Sequence, residues 1–409
     1  MNKKKIINDP VHGFITIDSA LVFDIIDHPY FQRLRRIKQL GLTDMVYPGA
    51  LHTRFHHAIG AMHLMHTALQ TLGSKNNEIS QKECEASLVA ILLHDIGHGP
   101  FSHALETAIF NQVAHEHLSL LIMQQLNRQF KGRLDLAIEI FRNTYERKFF
   151  HQLVSSQLDV DRLDYLNRDS FYTGVMEGKI GADRILKMMN VVDDQLVLEE
   201  KAIYSIESFL VSRRLMYWQV YLHKAVISAE NMVLRIVQRA RELLQKGTEV
   251  PCSPVLRYFL SANLTLDDFE KDTNILDQFT QLDDYDIWSG IKAWAHHPDK
   301  ILAFLSKSVL ERRLFKVIIS AEPVDADYFE GIKELVMDRF EIGEEDVKYL
   351  MISGKISNNA YDAHGKSIDV LTKSSHVVNV AQASDLPNIR ALSNRVEKYF
   401  ICYPKEIAS

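Results

Sequence analysis

The sequence predicts a mainly α-helical protein with a large helical core and a smaller C-terminal α+β unit. Apolar residues recur at three- and four-residue intervals through most of residues 20–310, which is the period of helices that bury one face. Near residue 312 the pattern changes to short apolar runs typical of strands. We therefore predict a core over residues 1–312, with a short β segment at 1–20, and a second unit over residues 313–409.

Four segments show the helical period of the core most clearly: HAIGAMHLMHTALQTL, ASLVAILLHDIG, QLDVDRLDYLNRDS and IESFLVSRRLMYWQVYLHKAVISAENMVLRIVQRARELL. The last is long enough to form one central helix. Residues 250–285 mix apolar and acidic side chains, so we expect irregular connections there. In the C-terminal unit we predict a helix at YFEGIKELVMDRF and strands at LFKVIIS, KYLMIS, SIDVLT and EKYFICYP.

The composition excludes several classes of protein. The chain is 46% hydrophobic, enough for a large core, yet no apolar run approaches the roughly 18 residues of a membrane span. No apolar stretch of signal-peptide length follows the basic N terminus, so we expect a cytoplasmic protein. Three scattered cysteines predict neither disulfides nor a cysteine metal site. A net charge of −6 gives no general electrostatic reason to bind nucleic acid or a membrane.

Histidine is concentrated in one part of the chain. Ten of the 18 histidines lie between residues 52 and 117, namely His52, His56, His57, His63, His66, His94, His98, His103, His115 and His117. A single histidine is most often a surface residue, or a core residue hydrogen-bonded to a carbonyl. We assign structural roles of that kind to His103 and His117.

The segment LLHDIGHGPFSH places His94 and Asp95 at the end of an apolar run. An ionised carboxylate near an apolar interior needs a cation, hydrogen-bond donors or a metal. Adjacent helical residues diverge by about 100°, so both can bind one ion only where the helix ends. Gly97, Gly99 and Pro100 indicate that end. A divalent metal there would also meet the negative end of the helix dipole.

Further ligands must come from other parts of the chain. His57 lies at the start of a helix whose apolar residues would pack inward, and Asp161 lies in a segment with a buried leucine face. The spacing alone does not select Asp161 over Asp159 or Asp164.

The order His57, His94 with Asp95, and Asp161 resembles the H…HD…D signature of the HD phosphohydrolase superfamily. Proteins of that superfamily are helical, and four such ligands hold a divalent metal for the hydrolysis of phosphate esters. The resemblance implies one metal ion on these four residues. Two imidazoles and two carboxylates suit Mn, Fe, Ni or Zn, and Mg less well, with positions left open for water and a phosphate oxygen.

The flanking sequence is more specific than the four ligands. It contains, in this order, INDPVHGFI, FQRLRRIKQLG, YPGALHTRFHHAIG, LLHDIGHGPFSHALE, AHEH and LDVDRLDYLNRDS. These segments closely resemble the deoxynucleoside triphosphate (dNTP) triphosphohydrolase branch, which includes bacterial dGTPases and the mammalian SAM-and-HD-domain enzyme. The match covers roughly residues 5–240 and is absent from the C-terminal unit. This branch cleaves a dNTP between the 5′ oxygen and the α-phosphorus, which releases a deoxynucleoside and inorganic triphosphate.

Two stripes of side chains agree with that chemistry. Asp161, Tyr165 and Asp169 fall at i, i+4 and i+8 on one helix. The predicted long helix repeats this spacing with an arginine followed by two tyrosines, Arg213, Tyr217 and Tyr221. Facing stripes would offer a metal and a guanidinium for phosphates, a carboxylate for a sugar hydroxyl and rings for sugar or base. Without the resemblance, partly buried stripes with polar tips explain the pattern equally well.

The resemblance implies substrate contacts at six positions: Arg54, Arg162, Tyr165, Asp169, Arg213 and Tyr221. The better-known members have lysine where Arg162 stands and histidine where Tyr217 stands. The first difference preserves phosphate binding, and the second weakens the case for Tyr217. The base cannot be selected, because a flat aromatic contact tolerates several bases.

His98, His115 and Glu116 are the predicted catalytic groups. His98 lies four residues beyond His94, and His115 with Glu116 begins the predicted helix HEHLSLLIMQQL. A carboxylate that orients an imidazole allows His98 or His115 to donate a proton to the leaving 5′ oxygen. The metal and Asp95 would position water at the α-phosphorus. The alternative for AHEH is a charged helix cap.

The N-terminal segment indicates regulation by nucleotide. Four residues match positions that bind an activating guanine nucleotide at a subunit interface in the mammalian relative: Lys5, Asp27, Gln32 and Arg35. Arg184 and Lys224 resemble positions around the neighbouring activator nucleotide. The resemblance implies GTP or dGTP as an activator and a homo-oligomer, either dimer or tetramer. The alternative is a helix with a basic solvated face at IIDHPYFQRLRRIKQL.

Two other functions stay open on the sequence alone. The first is another HD phosphohydrolase, acting on nucleoside monophosphates, cyclic dinucleotides or guanosine tetraphosphate, and the reaction products distinguish it. The second is an inactive nucleotide-sensing or nucleic-acid-binding protein. The complete set of metal and proton-transfer residues argues against the second, as does the acidic net charge.

Overall fold

The structure is a computed structural model that describes residues 5–75, 77–101, 105, 108–110, 113–358, 361, 367–385 and 395–407. Helices dominate these residues, so the predicted mainly α class with an α+β C-terminal part is confirmed. The first helices in the described part of the chain are α1 (Ala20–Asp27), α2 (Pro29–Gln32), α3 (Arg54–Ser74), α4 (Gln81–Leu93), α5 (His115–Gln129), α6 (Asp135–Phe141), α7 (Lys148–Val154) and α8 (Val160–Thr173).

A second group of helices completes the core. Its members are α9 (Ala182–Lys187), α10 (Ile203–Met216), α11 (Lys224–Gln245), α12 (Pro254–Ser261), α13 (Leu266–Lys271), α14 (Thr273–Phe279), α15 (Asp284–Trp294) and α16 (Lys300–Leu310). The helices described after residue 312 are α17 (Ala326–Phe340), α18 (Glu344–Leu350) and α19 (Val380–Ala383).

The strands of the described residues form three small sheets. They are β1 (Lys5–Asp9), β2 (Gly13–Ile17), β3 (Met189–Val192), β4 (Gln195–Glu199), β5 (Lys316–Ser320), β6 (Ile352–Asn358), β7 (Asp369–Leu371), β8 (Val377–Asn379) and β9 (Val396–Tyr403). β1 and β2 form an antiparallel hairpin, and the other sheets have the orders β3-β4-β7-β8 and β5-β9-β6. β4 pairs with β7 in parallel, so strands from the C-terminal part extend a hairpin of the core. The boundary at residue 312 stays a prediction.

Three helices position the site, and local sequence determines where each begins. α3 begins after Thr53, which forms a capping box with His56 in the first turn, and α4 begins with the same motif from Ser80 and Glu83. Asp159 caps α8 by accepting from the backbone N–H of Arg162 at 2.8 Å. α3 packs against both α4 and α8. The first turns of α3 and α8 therefore meet the last turn of α4.

The predicted central helix is in fact interrupted. α10 ends at Met216, a π-helical turn spans Tyr217–Tyr221, and α11 begins after His223. The His223 ring accepts a hydrogen bond from the backbone N–H of Ala225, so it starts a new helix instead of continuing the old one. The apolar spacing persists across the break, which is why the sequence pattern did not reveal it.

Two smaller predictions were also wrong. Residues 250–285 contain the helices α12, α13 and α14, and not irregular connections. α13 begins at a capping box formed by Thr265 and Asp268, whose short polar side chains fill the cap positions of a short helix. In KYLMIS only the end is a strand, because α18 extends to Leu350 and β6 begins at Ile352.

Candidate active site

The four predicted metal ligands converge at the junction of α3, α4 and α8. His57 lies in the first turn of α3, His94 follows the last residue of α4, and Asp161 is the second residue of α8. Asp161 Oδ1 lies 3.1 Å from His57 Nε2 and 3.5 Å from His94 Nε2. Asp95 Oδ1 lies 3.3 Å from His94 Nε2. The end of α4 thus places Asp95 Oδ1 within 3.5 Å of the Nε2 atoms of both His94 and His98.

The structure also distinguishes the contacts of Asp159, Asp161 and Asp164, which the sequence spacing alone could not rank as metal ligands. Asp159 is the N-cap of α8 and accepts from the Arg162 side chain. Asp164 lies behind His57, with its Oδ2 2.8 Å from His57 Nδ1. Asp161 alone among the three faces His94 as well as His57.

The ring nitrogens show that the site fits a metal ion. Nδ1 of His94 donates to the Ile91 carbonyl at 2.6 Å, and Nδ1 of His57 donates to Asp164. The two Nε2 atoms are buried, and neither has a hydrogen-bond partner among the described residues. Two buried ring nitrogens therefore lie beside two carboxylates, and with the imidazoles neutral these groups are the donor set of a divalent transition metal.

The electrostatics of the site favour positive charge. Burial alone would lower the pKa of His57, but the carboxylates of Asp161 and Asp164 outweigh burial and raise it to about 10. Burial would raise the pKa of Asp161, and the neighbouring rings of His57 and His94 instead hold it well below its usual value. A divalent cation supplies the positive charge that these groups favour.

A second layer of buried charges, which the sequence did not reveal, supports His57. Asp164 accepts from His12 Nε2 at 2.6 Å and from two nitrogens of Arg168 at 2.9 Å each. Arg168 also donates to Asp9 at 2.8 Å, so the turn between β1 and β2 is tied to α8. Gly60 permits this packing, because a Cβ there would lie 2.1 Å from Asp164 Oδ1.

Replacing Asp164 by asparagine is expected to weaken metal binding by about 10–100-fold, because such partners orient metal-binding imidazoles. Competition with a chelator measures the affinity. Asp169→Asn is the matched control, since Asp169 is a buried carboxylate of the same helix that bonds a different histidine, His52. Equal metal affinity in the Asp164 variant and the control would show that Asp164 does not orient His57.

The predicted catalytic residues form a stacked pair of rings beside Asp95. The His98 and His115 rings lie 3.7 Å apart at an angle of 19°, and His98 Nε2 lies 3.5 Å from Asp95 Oδ1. His115 Nε2 lies 3.4 Å from Glu116 Oε1, whose side chain is 64% exposed. Burial and then the charge of Arg54 hold the pKa of His98 well below its usual value, so its ring stays neutral. A neutral ring is the poorer proton donor, which favours His115 for that step.

A cavity of about 410 Å³ opens over this centre. It is lined by Gln39, Leu40, Gly41, Thr43, Arg54, Asp95, His98, Phe101, His115, Asp161, Tyr165, Asp169, Tyr217, Tyr221 and Glu230. The two predicted stripes face each other across it: Tyr221 donates to Asp169 at 2.7 Å, and its ring centre lies 6.4 Å from that of Tyr165. Tyr217 also lines the cavity, with its ring perpendicular to Tyr221.

Some predicted substrate residues differ from expectation in their contacts. Arg162 and Arg213 are not among the described residues that line the cavity. Arg162 donates a hydrogen bond to Asp159. Burial raises the pKa of the Tyr165 phenol, and the positive charges of Arg162 and Arg213 partly oppose that rise. The oxygens of Asp169 are shared between Tyr221 and His52, at 2.7 Å each. The sequence missed His52 in this role.

The predicted activator residues lie away from the cavity. Lys5 lies 4.3 Å from the centre of the Phe23 ring, and Arg35 lies 3.5 Å from that of Phe55 and bonds Gln32 at 2.8 Å. Arg184 donates to the Lys201 carbonyl, while Asp27 and Lys224 are exposed. Their regulatory roles stay predictions. His103 lies outside the described residues.

Comparison with known proteins agrees with this geometry. The HD domain family matches residues 54–169, a range that includes all four predicted ligands, and the HD associated region matches residues 180–251. A solved phosphohydrolase structure from Bacteroides thetaiotaomicron superposes with a TM-score of 0.95 at 50% identity, covering 98% of this chain and 100% of that one. The chain belongs to the HD-domain phosphohydrolase superfamily.

Two sequence relatives indicate the branch of the superfamily to which this chain is similar. A Bacillus subtilis protein named as uncharacterized, YwfO, is 32% identical over 100% of this chain and 94% of its own length. The human deoxynucleoside triphosphate triphosphohydrolase is 29% identical over 67% of this chain, and the chain covers 49% of the human protein. The branch is therefore the one that resembles dNTP triphosphohydrolases.

Membership of the family establishes the coarser part of the function. The protein is a hydrolase, and HD domains bind divalent metals. His57, His94 and Asp161 form a group that can hold such an ion, and Asp95 forms a second group with His98 and His115. None of the described helices has the length and apolar character needed to cross a bilayer.

Proposed function

We propose that the protein hydrolyses dNTPs to deoxynucleosides and inorganic triphosphate in the cavity above the metal ligands. The observation that carries the proposal is the meeting of the two stripes, where Tyr221 bonds Asp169 beside the ring of Tyr165 in a cavity that Asp161 also lines. A single cavity thus offers cation ligands at one end and rings with a carboxylate at the other. That arrangement matches a molecule with phosphates at one end and a sugar and base at the other.

Different arginines are assigned to different phosphates of the substrate. Arg54 is buried and donates to Asp95 at 2.5 Å, so its charge lies beside the predicted ion. Arg162 and Arg213 act on Tyr165 from outside the described cavity lining. We propose that they turn toward the outer phosphates when substrate binds, with Arg162 exchanging its contact to Asp159 for phosphate oxygens. The sugar hydroxyl contacts Asp169, and the rings of Tyr165 and Tyr221 contact sugar and base.

Proton transfer is assigned to the residues around the stacked rings. A divalent cation held by the predicted ligands His57, His94, Asp95 and Asp161 would polarise a phosphate oxygen and lower the pKa of water in the site. Asp95 orients the attacking water toward the α-phosphorus. His115 donates a proton to the leaving 5′ oxygen, Glu116 orients His115, and His98 holds the His115 ring by stacking on it.

The residues outside the cavity support a regulatory proposal that is separate from the chemistry. We propose that GTP or dGTP binds at Lys5, Asp27, Gln32 and Arg35, with Arg184 and Lys224 around a neighbouring nucleotide, in a homo-oligomer. What supports it, besides the family resemblance, is that five of these side chains are exposed and Gln32 is half-buried. A polyphosphate could therefore reach them without local unfolding.

A panel of substrates tests both proposals, with products followed by phosphorus resonance in the presence of Mn²⁺. We expect tripolyphosphate from the dNTPs, no orthophosphate from nucleoside monophosphates, no phosphomonoester from cyclic dinucleotides, and no diphosphate from guanosine tetraphosphate. GTP should increase both turnover and the oligomer mass. Release of orthophosphate from monophosphates would favour the other HD phosphohydrolases. Unchanged turnover and mass at saturating GTP would contradict the regulatory proposal alone.

A further inference from the structure

The first residue of α15 ties together two walls of the cavity. Asp284 is 3% exposed, and its Oδ1 accepts from the backbone N–H of Phe101 at 3.0 Å. Its Oδ2 accepts from the backbone N–H of Lys38 at 2.9 Å. Phe101 lines the cavity, and Lys38 directly precedes three lining residues, 39–41. One buried carboxylate therefore spans two separate segments that shape the substrate cavity.

The backbone of each wall contains a residue with a positive φ, a conformation that neighbouring contacts must stabilise. Phe101 has a φ of 53°, which is unfavourable for a bulky residue, and Gly41 has a φ of 50°. The two segments touch, since a Cβ on Gly41 would lie 3.8 Å from the Phe101 carbonyl oxygen. One turn after Asp284, Trp288 packs against the Phe101 ring at 5.8 Å. α15 thus holds Phe101 through both its backbone and its ring.

A second buried contact ties the same helix start to the catalytic turn. Arg33 is fully buried and donates to the Leu282 carbonyl at 2.7 Å and to the His98 carbonyl at 2.9 Å. Residues 282–284 are therefore fastened to both ends of the segment that runs from His98 to Phe101. A change at Asp284 therefore affects this segment where it lines the cavity. The hydrogen bonds described above do not include a side chain of a predicted metal ligand.

We propose that Asp284 is a positioning residue that fixes the separation of the two cavity walls and so determines substrate affinity, without a role in metal binding. The inference rests on the proposed function in one respect, namely that this cavity binds the substrate. The backbone N–H groups of Lys38 and Phe101 are the atoms through which Asp284 acts. Both lose a charged acceptor if the carboxylate is removed.

Asp284→Asn tests the inference with almost no change in volume, because asparagine turns a donor toward one of the two N–H groups. We expect KM for the preferred dNTP to rise about tenfold while kcat changes less than about threefold. Hydrogen exchange at the amides of residues 38 and 101 should accelerate, and bound metal per chain should stay at the wild-type value. Burial raises the pKa of Asp284 to about 6, so assays at about pH 8 keep it ionised.

Asp286→Asn is the matched control from the same turn of α15. Asp286 accepts from Ser253 and from the backbone N–H of Asp283, so it supports the helix start, and neither recorded bond goes to a cavity wall. We expect wild-type KM and wild-type exchange at residues 38 and 101 in this variant. If Asp284→Asn is unfolded, Asp284→Ser replaces it, since a hydroxyl can reach only one of the two amides.

Each outcome decides the inference. Faster exchange at either amide together with a raised KM supports it. Unchanged exchange, unchanged KM despite faster exchange, or an equal KM rise in Asp286→Asn overturns it. If the wild-type protein does not hydrolyse dNTPs, the proposed function fails, while exchange at the two amides still shows whether Asp284 holds the walls.

Discussion

His94→Gln is expected to remove the metal ion and to lower turnover by at least about a thousandfold, because the ion supplies most of the charge stabilisation in such reactions. His94 Nε2 is buried beside two carboxylates and has no hydrogen-bond partner in the described part of the chain. It is therefore well placed to bind a metal ion. Metal analysis of the purified variant and its turnover give the two readouts. Added metal should raise the melting temperature of the wild type and leave that of the variant unchanged.

His117→Gln is the control for this substitution. His117 is an exposed histidine of α5, so its loss removes one imidazole from the protein without touching the site. It should keep wild-type metal content and turnover. Full metal content in His94→Gln with turnover within tenfold of wild type would refute the assignment of His94 as a ligand.

His115→Ala is expected to lower turnover by about 10²–10⁴-fold while the metal is retained, which is the usual effect of losing a general acid. Its ring lies on the cavity wall, stacked on His98 and next to Glu116. The defect should become small with an aryl ester of triphosphate, whose phenolate leaving group departs without a proton. A comparison of the dNTP and the aryl ester in the same variant therefore isolates proton donation from general damage.

Two results would count against this role. Near-normal dNTP turnover with bound metal would remove His115 from the chemistry. An equal defect on both substrates would mean that His115 shapes the cavity and does not donate the proton. Glu116→Gln should show a weaker version of the same pattern, because Glu116 is exposed and acts through His115.

The parts of the site that depend on local spacing were accessible from the sequence. Tyr165 and Asp169 follow Asp161 at helical intervals, and the family signature selected His57 and His94 with their neighbours. Helical geometry then determines that such residues share a face, so the meeting of the two stripes could be anticipated. The break after Met216 could not, because a π-helical turn keeps apolar spacing close to that of a continuous helix.

The supporting contacts depend on pairs that are distant in the chain. Asp164 meets His12 across 152 positions, and Asp284 meets Lys38 across 246. No periodicity links such residues, and a single aspartate at a helix start is explained equally well as a cap. Only the packing of α3 on α8 and of α15 on the cavity wall gives these carboxylates their partners.

Hydrolysis of a dNTP in ¹⁸O-labelled water is the most direct test of the central claim, that the metal ligands and the facing stripes form a centre for cleavage at the α-phosphorus. Water attack at that phosphorus predicts tripolyphosphate with one labelled oxygen and an unlabelled deoxynucleoside, and no such products from His94→Gln. Release of orthophosphate or diphosphate, or a label in the deoxynucleoside, would contradict the account.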